Sequence, residues 1–332
     1  MSMRKSYFLI SVSNRRNLDL CMRYALAGFT NSINGIWTFV EVQEGDFISF
    51  LYGAKAHNLY VVQRKEAISN AEAIPPWAPI TFRQSGRTYY FPFRLYLRPI
   101  RKLEESMVRP EFAYVAENLL LRGGYRKTHF QADQTTLQAV SQMGNLSDGH
   151  REELPVSNYP TFAPQFTGRK ENASIPEVFQ FHEFILQSLV CQYLRQEQNL
   201  SDFLSWLEIK NMTPGELEIL GEKAFPEGHV DILIKEAAPR GITRKIIIEI
   251  KRGVAKEQDL SQLKNYAKEI GDECIGVVLI GRRFSRTLSK IAKDEQIKLA
   301  TYGFGELDQV NASHTFENLL QNLALEITEG GM

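Results

Sequence analysis

Two apolar segments on either side of a turn constrain the fold of this chain more than any other feature of its sequence. Residues 228–236 have the sequence GHVDILIKE, and residues 245–251 have the sequence KIIIEIK. Both are rich in β-branched and other apolar residues, which is typical of buried strands. Pro239, Arg240 and Gly241 lie between them and are typical of a turn. The sequence therefore predicts an antiparallel hairpin.

The second strand of this hairpin contains two charged side chains. Because side chains alternate between the two faces of a strand, Glu249 and Lys251 lie on the same face as Ile247. Two charged groups on a core strand are costly unless they are paired or bind something. One solution is purely structural, in which Lys251 pairs with Glu249, or with Asp231 of the first strand, at the end of the hairpin.

A metal site is the other solution, and the register of the hairpin favours it. If the turn is centred near residue 240, Asp231 lies opposite Glu249, with their Cβ atoms about 4.5–5.5 Å apart. Two carboxylates at that distance repel each other unless they share a proton or a cation. Mg²⁺ binds oxygen ligands and usually takes one or two carboxylates. We therefore predict Mg²⁺, or Mn²⁺ with the same ligands, at Asp231 and Glu249, with Lys251 close to a phosphate oxygen or the metal-bound water.

The same residues resemble a known nuclease pattern. An Asp, a hairpin loop and then Glu-x-Lys on a hydrophobic strand look like the PD-(D/E)xK nuclease superfamily. Residues 228–233 (GHVDIL), 248–253 (IEIKRG) and 262–266 (QLKNY) are similar to the catalytic domain of the EndoMS type of mismatch endonuclease. The resemblance covers roughly residues 175–305. It implies a mixed central sheet flanked by helices, and hydrolysis of a phosphodiester.

The resemblance also implies roles for further residues. The carbonyl of Ile250 joins Asp231 and Glu249 as a metal ligand. Gln262, on a helix predicted over 259–270, orients substrate or water, and Tyr266 lies on the same face of that helix. The superfamily commonly adds a carboxylate from its first helix. Glu183 suits this role, because it interrupts an apolar stripe of Phe179, Leu186 and Val190 at helical spacing, and Glu177 is the second choice.

Length and composition are those of an ordinary globular protein with two domains. The chain has 332 residues, and we expect 1–130 to form a first domain, 131–174 a linker, 175–310 the nuclease domain and 311–332 a helix and tail. No apolar run approaches the about 20 residues that cross a bilayer. Three widely separated cysteines fit neither a zinc site nor a disulfide framework. These features predict a cytoplasmic protein without a membrane partner.

The first 130 residues predict a different kind of domain. Several short segments look like strands, among them 7–12, 36–42 and 46–52, with an amphipathic helix over 18–27, and this spacing is typical of a small barrel. The half is also rich in aromatic residues, with 21 of the 36 in the chain. The sequences YFLISVSN at 7–14, GFT at 28–30 and EGDFI at 44–48 resemble the YTH/EVE branch of the PUA-like superfamily.

Members of that branch hold a modified or flipped base in an aromatic cage. By position, the resemblance implies a base pocket made of Phe29, Trp37 and Trp77, with Ser13 and Asn14 contacting the base. For each aromatic residue taken singly, packing in the core is the alternative explanation. The predicted fold class is therefore α+β or α/β, with an N-terminal PUA-like barrel flanked by helices and a C-terminal nuclease core.

The distribution of charge agrees with a nucleic-acid partner. The net charge is zero, but residues 1–130 have 18 basic and 10 acidic side chains, and residues 239–298 have 14 and 8. Both regions that would meet phosphate are therefore basic. A base-sensing domain joined to a metal-dependent nuclease is the arrangement of modification-dependent restriction endonucleases. The sequence thus predicts an endonuclease that acts on modified double-stranded DNA, alone or as a homodimer.

Three alternatives stay open at this stage. The chain can be a repair nuclease that senses mismatches or damage, because its catalytic half resembles that branch. Its substrate can be RNA, which YTH-like domains also bind. It can also be a reader of modified nucleic acid without catalytic activity, although Asp231, Glu249, Lys251 and Gln262 are all present.

Overall fold

The chain separates into two compact units in a computed structural model. The model describes residues 5–83, 85–113, 115, 128–156, 158–225, 228–238, 241–309 and 312–327. The N-terminal unit comprises Lys5–Phe166 and Glu171–Phe179, and the C-terminal unit comprises Thr167–Lys170 and the chain from Gln180 onwards. Within the described ranges, every helix is too short or too polar to cross a membrane.

The N-terminal unit combines a large mixed sheet with short helices. Three helices that are described from end to end are α1 (Arg15–Tyr24), α2 (Ile33–Glu41) and α3 (Gln134–Ser141). Its strands are β1 (Tyr7–Ser11), β2 (Leu26–Phe29), β3 (Phe47–Tyr52), β4 (Lys55–Ile68), β5 (Ile80–Thr81), β6 (Thr88–Tyr89), β7 (Phe93–Lys102), β8 (Met107–Val108), β9 (His129–Ala132), β10 (Asn145–Leu146) and β11 (Thr161–Phe162). Strands β12 (Gln165–Thr167) and β13 (Val178–Gln180) lie where the chain passes between the units.

The sheet of this unit is open in the part of the chain that is described. Its strand order is β10-β7-β4-β3-β1-β9, with β2 paired to β7 and with β8 and β11 paired to β4. Strands β1 and β3 are parallel, and the other pairs are antiparallel. The mixed α+β class predicted from the sequence is confirmed, whereas the closed PUA-like barrel stays a prediction.

One segment of this unit has the wrong secondary structure in the sequence prediction. Residues 36–42 are predicted as a strand, but Ile36–Glu41 belong to α2. This helix begins after Ser32, whose hydroxyl accepts a hydrogen bond from the Gly35 N–H at 3.2 Å. The side chains of Ile36–Glu41 are all buried. A short, wholly buried apolar run with β-branched and aromatic residues resembles a buried strand in sequence.

The predicted helix over 18–27 is correct in type but shifted along the chain. The helix α1 begins earlier, at Arg15, because the Asn14 side chain accepts a hydrogen bond from the Asn17 N–H. It ends at Tyr24, and Ala25 adopts a left-handed conformation with φ of 45°. The chain then enters β2, so Leu26 and Ala27 are strand residues.

The C-terminal unit is a mixed sheet with helices. Its helices are α4 (Glu183–Leu194), α5 (Glu197–Trp206), α6 (Glu257–Ile270), α7 (Arg286–Asp294) and α8 (Phe316–Asn322). Its strands are β14 (Leu217–Phe225), β15 (Gly228–Glu236), β16 (Lys245–Lys251), β17 (Cys274–Gly281), β18 (Lys298–Gly303), β19 (His314–Thr315) and β20 (Ala324–Ile327). The predicted tail therefore contributes strand β20, which pairs with β18.

The predicted hairpin lies in the middle of this sheet. The strand order is β14-β15-β16-β17-β18-β20, in which β16, β17 and β18 run parallel and the other pairs are antiparallel. One face of the sheet packs on α6 and α7, through Leu233, Ile247 and Leu279 against Leu260 and Leu288. Helix α4 contacts β14, β15 and β16. Strand β16 thus has a strand on each side and helices over it, which buries its charged residues.

The region predicted as a linker contains regular structure. Strand β9 and helix α3 lie within 129–141, and β9 pairs with β1 of the N-terminal sheet. Strands β10 and β11 add short pairs to β7 and β4. The chain up to Phe166 therefore belongs to the N-terminal unit.

The assignment of residues 33–41 to helix α2 can be tested at Gly35, where the helix approaches the backbone of Thr30 closely. A Cβ added at Gly35 would lie 1.9 Å from the Thr30 carbonyl oxygen, which is backbone and unable to swing away. We expect Gly35→Ala to lower the free energy of unfolding by about 1–3 kcal/mol because of this overpacking. Thermal unfolding of the full chain measures the loss. Gly215→Ala, where a Cβ meets nothing within 4 Å, is the control, and equal Tm values for the two variants would contradict the assignment.

Candidate active site

The site begins where the hairpin ladder ends. The described ladder between β15 and β16 runs from Lys235 opposite Lys245 to Ile232 opposite Ile248, which is the register that the sequence predicts. Asp231 and Glu249 are the next positions on the two strands. At this point a side chain takes the place of a backbone carbonyl. The Oδ2 atom of Asp231 accepts a hydrogen bond of 2.7 Å from the Ile250 N–H.

Glu249 is a buried carboxylate with only one of its oxygens used. The residue is 3% exposed, and its Oε1 accepts a hydrogen bond of 2.8 Å from Lys251 Nζ. The other oxygen, Oε2, is buried and has no hydrogen-bond partner within the described part of the protein. A buried carboxylate oxygen without a partner is costly. It is therefore a candidate ligand for a cation.

Lys251 lies among several carboxylates. Besides Glu249, its Nζ is 3.5 Å from Glu183 Oε1 and 4.0 Å from Asp259 Oδ1. The Lys251 side chain is 21% exposed, so its ammonium group is held in place and still reachable from solvent. Glu183 is fixed in turn, because its Oε2 accepts a hydrogen bond of 2.9 Å from the Arg252 N–H.

The electrostatics of the cluster follow from burial and from mutual repulsion. Burial raises the pKa of Asp231 well above its ordinary value, and the nearby Glu249 raises it further. Burial likewise raises the pKa of Glu249, although Lys251 opposes this rise. For Lys251, burial lowers the pKa, but the surrounding carboxylates, above all Glu249, outweigh burial and raise it. Without a further cation, the site therefore favours a shared proton between the two carboxylates and a fully charged lysine.

Helix α4 brings two polar residues to the site. It begins at Glu183, so Glu183 lies in the first turn, where a carboxylate is favourable to the helix dipole. Phe179 lies in β13 and not on this helix, so the predicted stripe of three helical residues is wrong in that member. One turn further along α4, the buried Gln187 donates a hydrogen bond of 2.6 Å from Nε2 to the Asp231 carbonyl. Glu177, the second choice for the helix carboxylate, belongs to the N-terminal unit.

Helix α6 contributes the predicted amide and two further groups. Gln262 Nε2 donates a hydrogen bond of 2.7 Å to the Tyr266 hydroxyl, one helical turn away. Burial raises the pKa of Tyr266, and Glu249 and Asp231 both raise it further, which shows that the hydroxyl lies within their electrostatic reach. Asp259, in the first turn of α6, accepts a hydrogen bond of 2.7 Å from the Lys256 N–H and faces Lys251 with its other oxygen.

Sequence reasoning did not find Gln187 and Asp259. Both belong to helices whose approach to the hairpin is decided by tertiary packing. A signal was nevertheless present for Gln187, because it lies four residues after Glu183 and therefore on the same helix face. Asp259 had a signal too, since it lies three residues before Gln262.

The donor set fits a hard divalent cation. It offers the unpartnered Oε2 of Glu249 and the carboxylate of Asp231. The pKa values of both groups are raised, above all by burial. The Ile250 carbonyl points to the same side as the Ile250 N–H, towards Asp231, because both groups of a strand residue face the same neighbour. Among the described residues, no three His, Cys, Asp or Glu side chains form a metal-binding group. Two carboxylates and a carbonyl nevertheless suffice for Mg²⁺, which keeps several waters.

The aromatic residues predicted for a base pocket pack against different parts of the N-terminal unit. Phe29, Trp37 and Trp77 are all buried. Trp77 lies directly on Gly28, where an added Cβ would be 2.3 Å from its ring. Phe29 follows Gly28 in β2, so its side chain lies on the opposite face of that strand. Trp37 instead packs edge-on against His129, with ring centroids 5.1 Å apart.

The two polar pocket residues are engaged at the start of α1. Asn14 caps the helix, and the Ser13 hydroxyl accepts hydrogen bonds from the side-chain amides of Asn14 and Asn17, at 3.3 and 3.2 Å. Both residues are exposed. The base pocket stays a prediction.

Comparisons with known proteins match parts of the chain. No family model and no curated protein matches it. Among solved structures, a repair endonuclease from Pyrococcus abyssi matches 31% of this chain and 45% of its own length, at 17% identity and a TM-score of 0.22. The chain thus spans less than half of that protein.

Two further solved structures are of EndoMS, the type that the hairpin motif resembles. The EndoMS–dsDNA complex matches 46% of this chain and 70% of its own length, at 16% identity and a TM-score of 0.25. EndoMS in its apo form covers the same shares at 13% identity and a TM-score of 0.20. The function proposed below rests on the geometry of the site and not on these matches.

The raised pKa of Asp231 predicts a stability effect with a defined sign. A carboxyl group with a higher pKa in the folded state binds its proton more tightly when folded, so in EDTA the free energy of unfolding rises as the pH falls towards the unfolded value of about 4. Asp231→Asn removes the charge and keeps an oxygen to accept the Ile250 N–H. We expect this variant to have a Tm a few degrees above that of the wild type at pH 8 in EDTA, at about 2–4 °C per kcal/mol.

Thermal unfolding between pH 5 and pH 8 checks this expectation. The difference between the variant and the wild type should shrink as the pH falls, because the wild-type carboxyl group then takes up its proton. Glu269→Gln, an exposed carboxylate on α6, is the matched control and should leave Tm unchanged. A lower Tm for Asp231→Asn at pH 8 would refute the electrostatic account of the site.

Proposed function

We propose that the chain is a metal-dependent endonuclease that hydrolyses phosphodiester bonds of DNA at the site in its C-terminal unit. The observation that carries this proposal is the buried, unpartnered oxygen of Glu249 next to Lys251 and Asp231. An ion pair alone would satisfy Glu249 through Lys251 and would leave no reason for a second carboxylate at the end of the ladder. A site that holds a cation and a phosphate accounts for all three charges.

The residues of the site have separate roles in this proposal. Asp231, Glu249 and the Ile250 carbonyl hold Mg²⁺ or Mn²⁺. When bound, such an ion lowers the pKa of a water and offsets charge that develops on the phosphate. Because its pKa is raised, Lys251 keeps its proton at neutral pH, so it acts as a positive charge for a phosphate oxygen or an orienting donor to water and not as a general base.

The surrounding residues keep these groups in position. Glu183 and Asp259 hold the Lys251 ammonium between them, and Glu183 also fixes the Arg252 N–H. Gln187 fixes the backbone at Asp231. Gln262, hydrogen-bonded to Tyr266, is a donor on the helix that packs over the hairpin, and we assign it to substrate or water.

We further infer that the N-terminal unit recognises a modified base in double-stranded DNA. The YTH/EVE-like motifs support this inference. Trp77 and Phe29 are buried, so a base that stacks on them has to enter by displacing a neighbouring side chain. With Trp37, Ser13 and Asn14 as the remaining pocket residues, this unit would select the DNA that the C-terminal unit cuts. Because one site cuts one strand, a double-strand break requires a homodimer or two successive nicks.

Cleavage of matched duplexes tests the proposed function. The duplexes are unmodified or contain 5-methylcytosine, 5-hydroxymethylcytosine or N6-methyladenine, and each is incubated with Mg²⁺, Mn²⁺ or EDTA. We expect metal-dependent cutting of one modified duplex, and a loss of at least about 100-fold in Lys251→Ala, because a single charge-stabilising donor contributes this much. Glu269→Gln is the control that should keep the wild-type rate.

The other outcomes identify the alternatives. Equal cutting of all duplexes would indicate a repair or general nuclease, and cutting of mismatched duplexes alone would indicate mismatch repair. Cutting of RNA in place of DNA would change the substrate class. Selective binding without cutting would leave a reader of modified bases. Cleavage that survives Asp231→Ala would refute the assigned site.

Metal binding has its own readout, which does not depend on cleavage. We expect Mg²⁺ or Mn²⁺ to raise the Tm of the wild type. The free energy of unfolding should increase by about 2.7 kcal/mol when the metal concentration is 100 times its dissociation constant. Glu249→Gln should lose this shift, because it removes the charge and one oxygen ligand. A thermal shift with the same metal dependence in Glu249→Gln would show that the cation binds elsewhere.

A further inference from the structure

A small two-stranded hairpin of the N-terminal unit exposes an aromatic residue. Strands β5 and β6 pair only with each other among the described residues, as Ile80 opposite Tyr89 and Thr81 opposite Thr88. Phe82, which follows β5, is 56% exposed, and Ile80 is 45% exposed. Of the large apolar side chains that are exposed in the described ranges, Phe82 is the only aromatic one. We call residues 80–89 the finger.

The exposed ring is fixed in place and does not belong to a loose loop. The Phe82 N–H donates a hydrogen bond of 3.0 Å to the Arg87 carbonyl, and the Phe82 carbonyl accepts one of 2.8 Å from the Gly86 N–H. Gly86 has φ of +64°, a conformation that glycine adopts without strain. The Phe82 ring packs edge-on against Tyr89, with centroids 5.4 Å apart. Gln84 lies outside the described residues, and no role is assigned to it.

Both ends of the finger are anchored in the body of the unit. On one side the fully buried Arg94 donates hydrogen bonds to the carbonyls of Ile74 and Pro75, at 2.8 and 2.7 Å, and the next large residue, Trp77, lies on Gly28. On the other side Tyr90 exchanges two hydrogen bonds with Asn31, at 3.0 and 3.2 Å. The finger therefore projects from a rigid base close to the predicted base pocket.

The stretch of chain that contains the finger is rich in basic residues. Residues 73–103 contain six basic residues and no acidic residue. Two of the six, Arg83 and Arg87, lie in the finger, are exposed, and have no side-chain partner within the described part of the chain. A projecting aromatic ring between unpaired arginines has the chemistry to stack on a base while the guanidinium groups hold the flanking phosphates. An apolar protein partner would not require this charge.

We propose that the finger inserts Phe82 into a DNA duplex and opens the base stack there. The proposal rests on the proposed function, in that it takes duplex DNA as the substrate. Proteins that bend DNA or extrude a base commonly place an apolar wedge between base steps, which compensates for the lost stacking. Here the wedge is Phe82, and Arg83 and Arg87 bind the phosphates on either side of the opened step. The finger then brings an opened base close to Trp77, which lies three residues before its first strand.

Fluorescence of 2-aminopurine tests the proposal, because this base brightens when its stack opens. The full chain is titrated, in EDTA to prevent cutting, into the duplex that it binds best, with 2-aminopurine beside the modified base. We expect the wild type to raise the fluorescence. Phe82→Ala should abolish the rise and weaken binding by at least about fivefold, the lower end for loss of one stacked base. Val108→Ala, an exposed apolar residue of the same unit, is the control and should match the wild type.

The arginines are tested by salt dependence. We expect the double variant Arg83→Gln, Arg87→Gln to reduce the slope of log affinity against log salt by about 2, one for each phosphate contact. The corresponding double lysine variant should restore the slope, because a lysine also neutralises phosphate. An unchanged slope in the glutamine variant would overturn the assignment of the phosphate contacts.

The outcomes separate the finger from the proposed function. If the wild type cuts duplex DNA and Phe82→Ala opens the base and binds like the wild type, the finger proposal is wrong and the endonuclease stands. A wild type that binds without any fluorescence rise has the same consequence. If the wild type neither binds nor cuts any duplex, both proposals fail. The Tm of Phe82→Ala should equal that of the wild type, since the residue is exposed, and this excludes misfolding as the cause of lost binding.

Discussion

The buried negative charge of Glu249 is the constraint on which the rest of the C-terminal unit depends. A carboxylate in the middle of a sheet is stable only if other groups compensate for its lost hydration. Lys251 does so for one oxygen, and Glu183 and Asp259 hold that lysine. The second oxygen has no such partner in the described residues. Within the described residues, the arrangement is therefore incomplete as a salt bridge, and this is the observation on which the proposed cation site rests.

The same constraint explains why elements from different parts of the chain meet at the end of β16. Helix α4 starts beside the site, so that a carboxylate in its first turn reaches both Lys251 and the backbone of Arg252. Helix α6 covers the hairpin with Leu260 and Leu263 and places its polar residues at the open end of the ladder. Residues that pack in the core and residues of the site alternate along the same turns of these helices. A site of this kind lowers the stability of the fold in return for its chemistry.

The sequence was sufficient for the hairpin but not for everything around it. The alternation of isoleucines and the turn gave the register of β15 and β16, because period and turn position together determine which residues face each other. The strand predicted over 36–42 is wrong because a short buried apolar run with β-branched and aromatic residues looks the same in a helix as in a strand. Gln187 and Asp259 escaped notice because their role depends on how α4 and α6 pack. The exposure of Phe82 was not predicted either, because it depends on a hairpin that is separate from the main sheet.

Arg94 supports the finger from below and takes no part in the contacts that the tip of the finger can make. Its guanidinium group is fully buried and donates to three carbonyls, of Ile74, Pro75 and Phe91, which needs the planar, forked geometry that lysine lacks. On this side, the support of the finger thus consists of backbone acceptors and one buried side chain, and none of the tip residues takes part. Substitutions at the tip leave that support intact, as in the variable loops of antibodies. The tip can therefore change its chemistry while the scaffold beneath it stays the same.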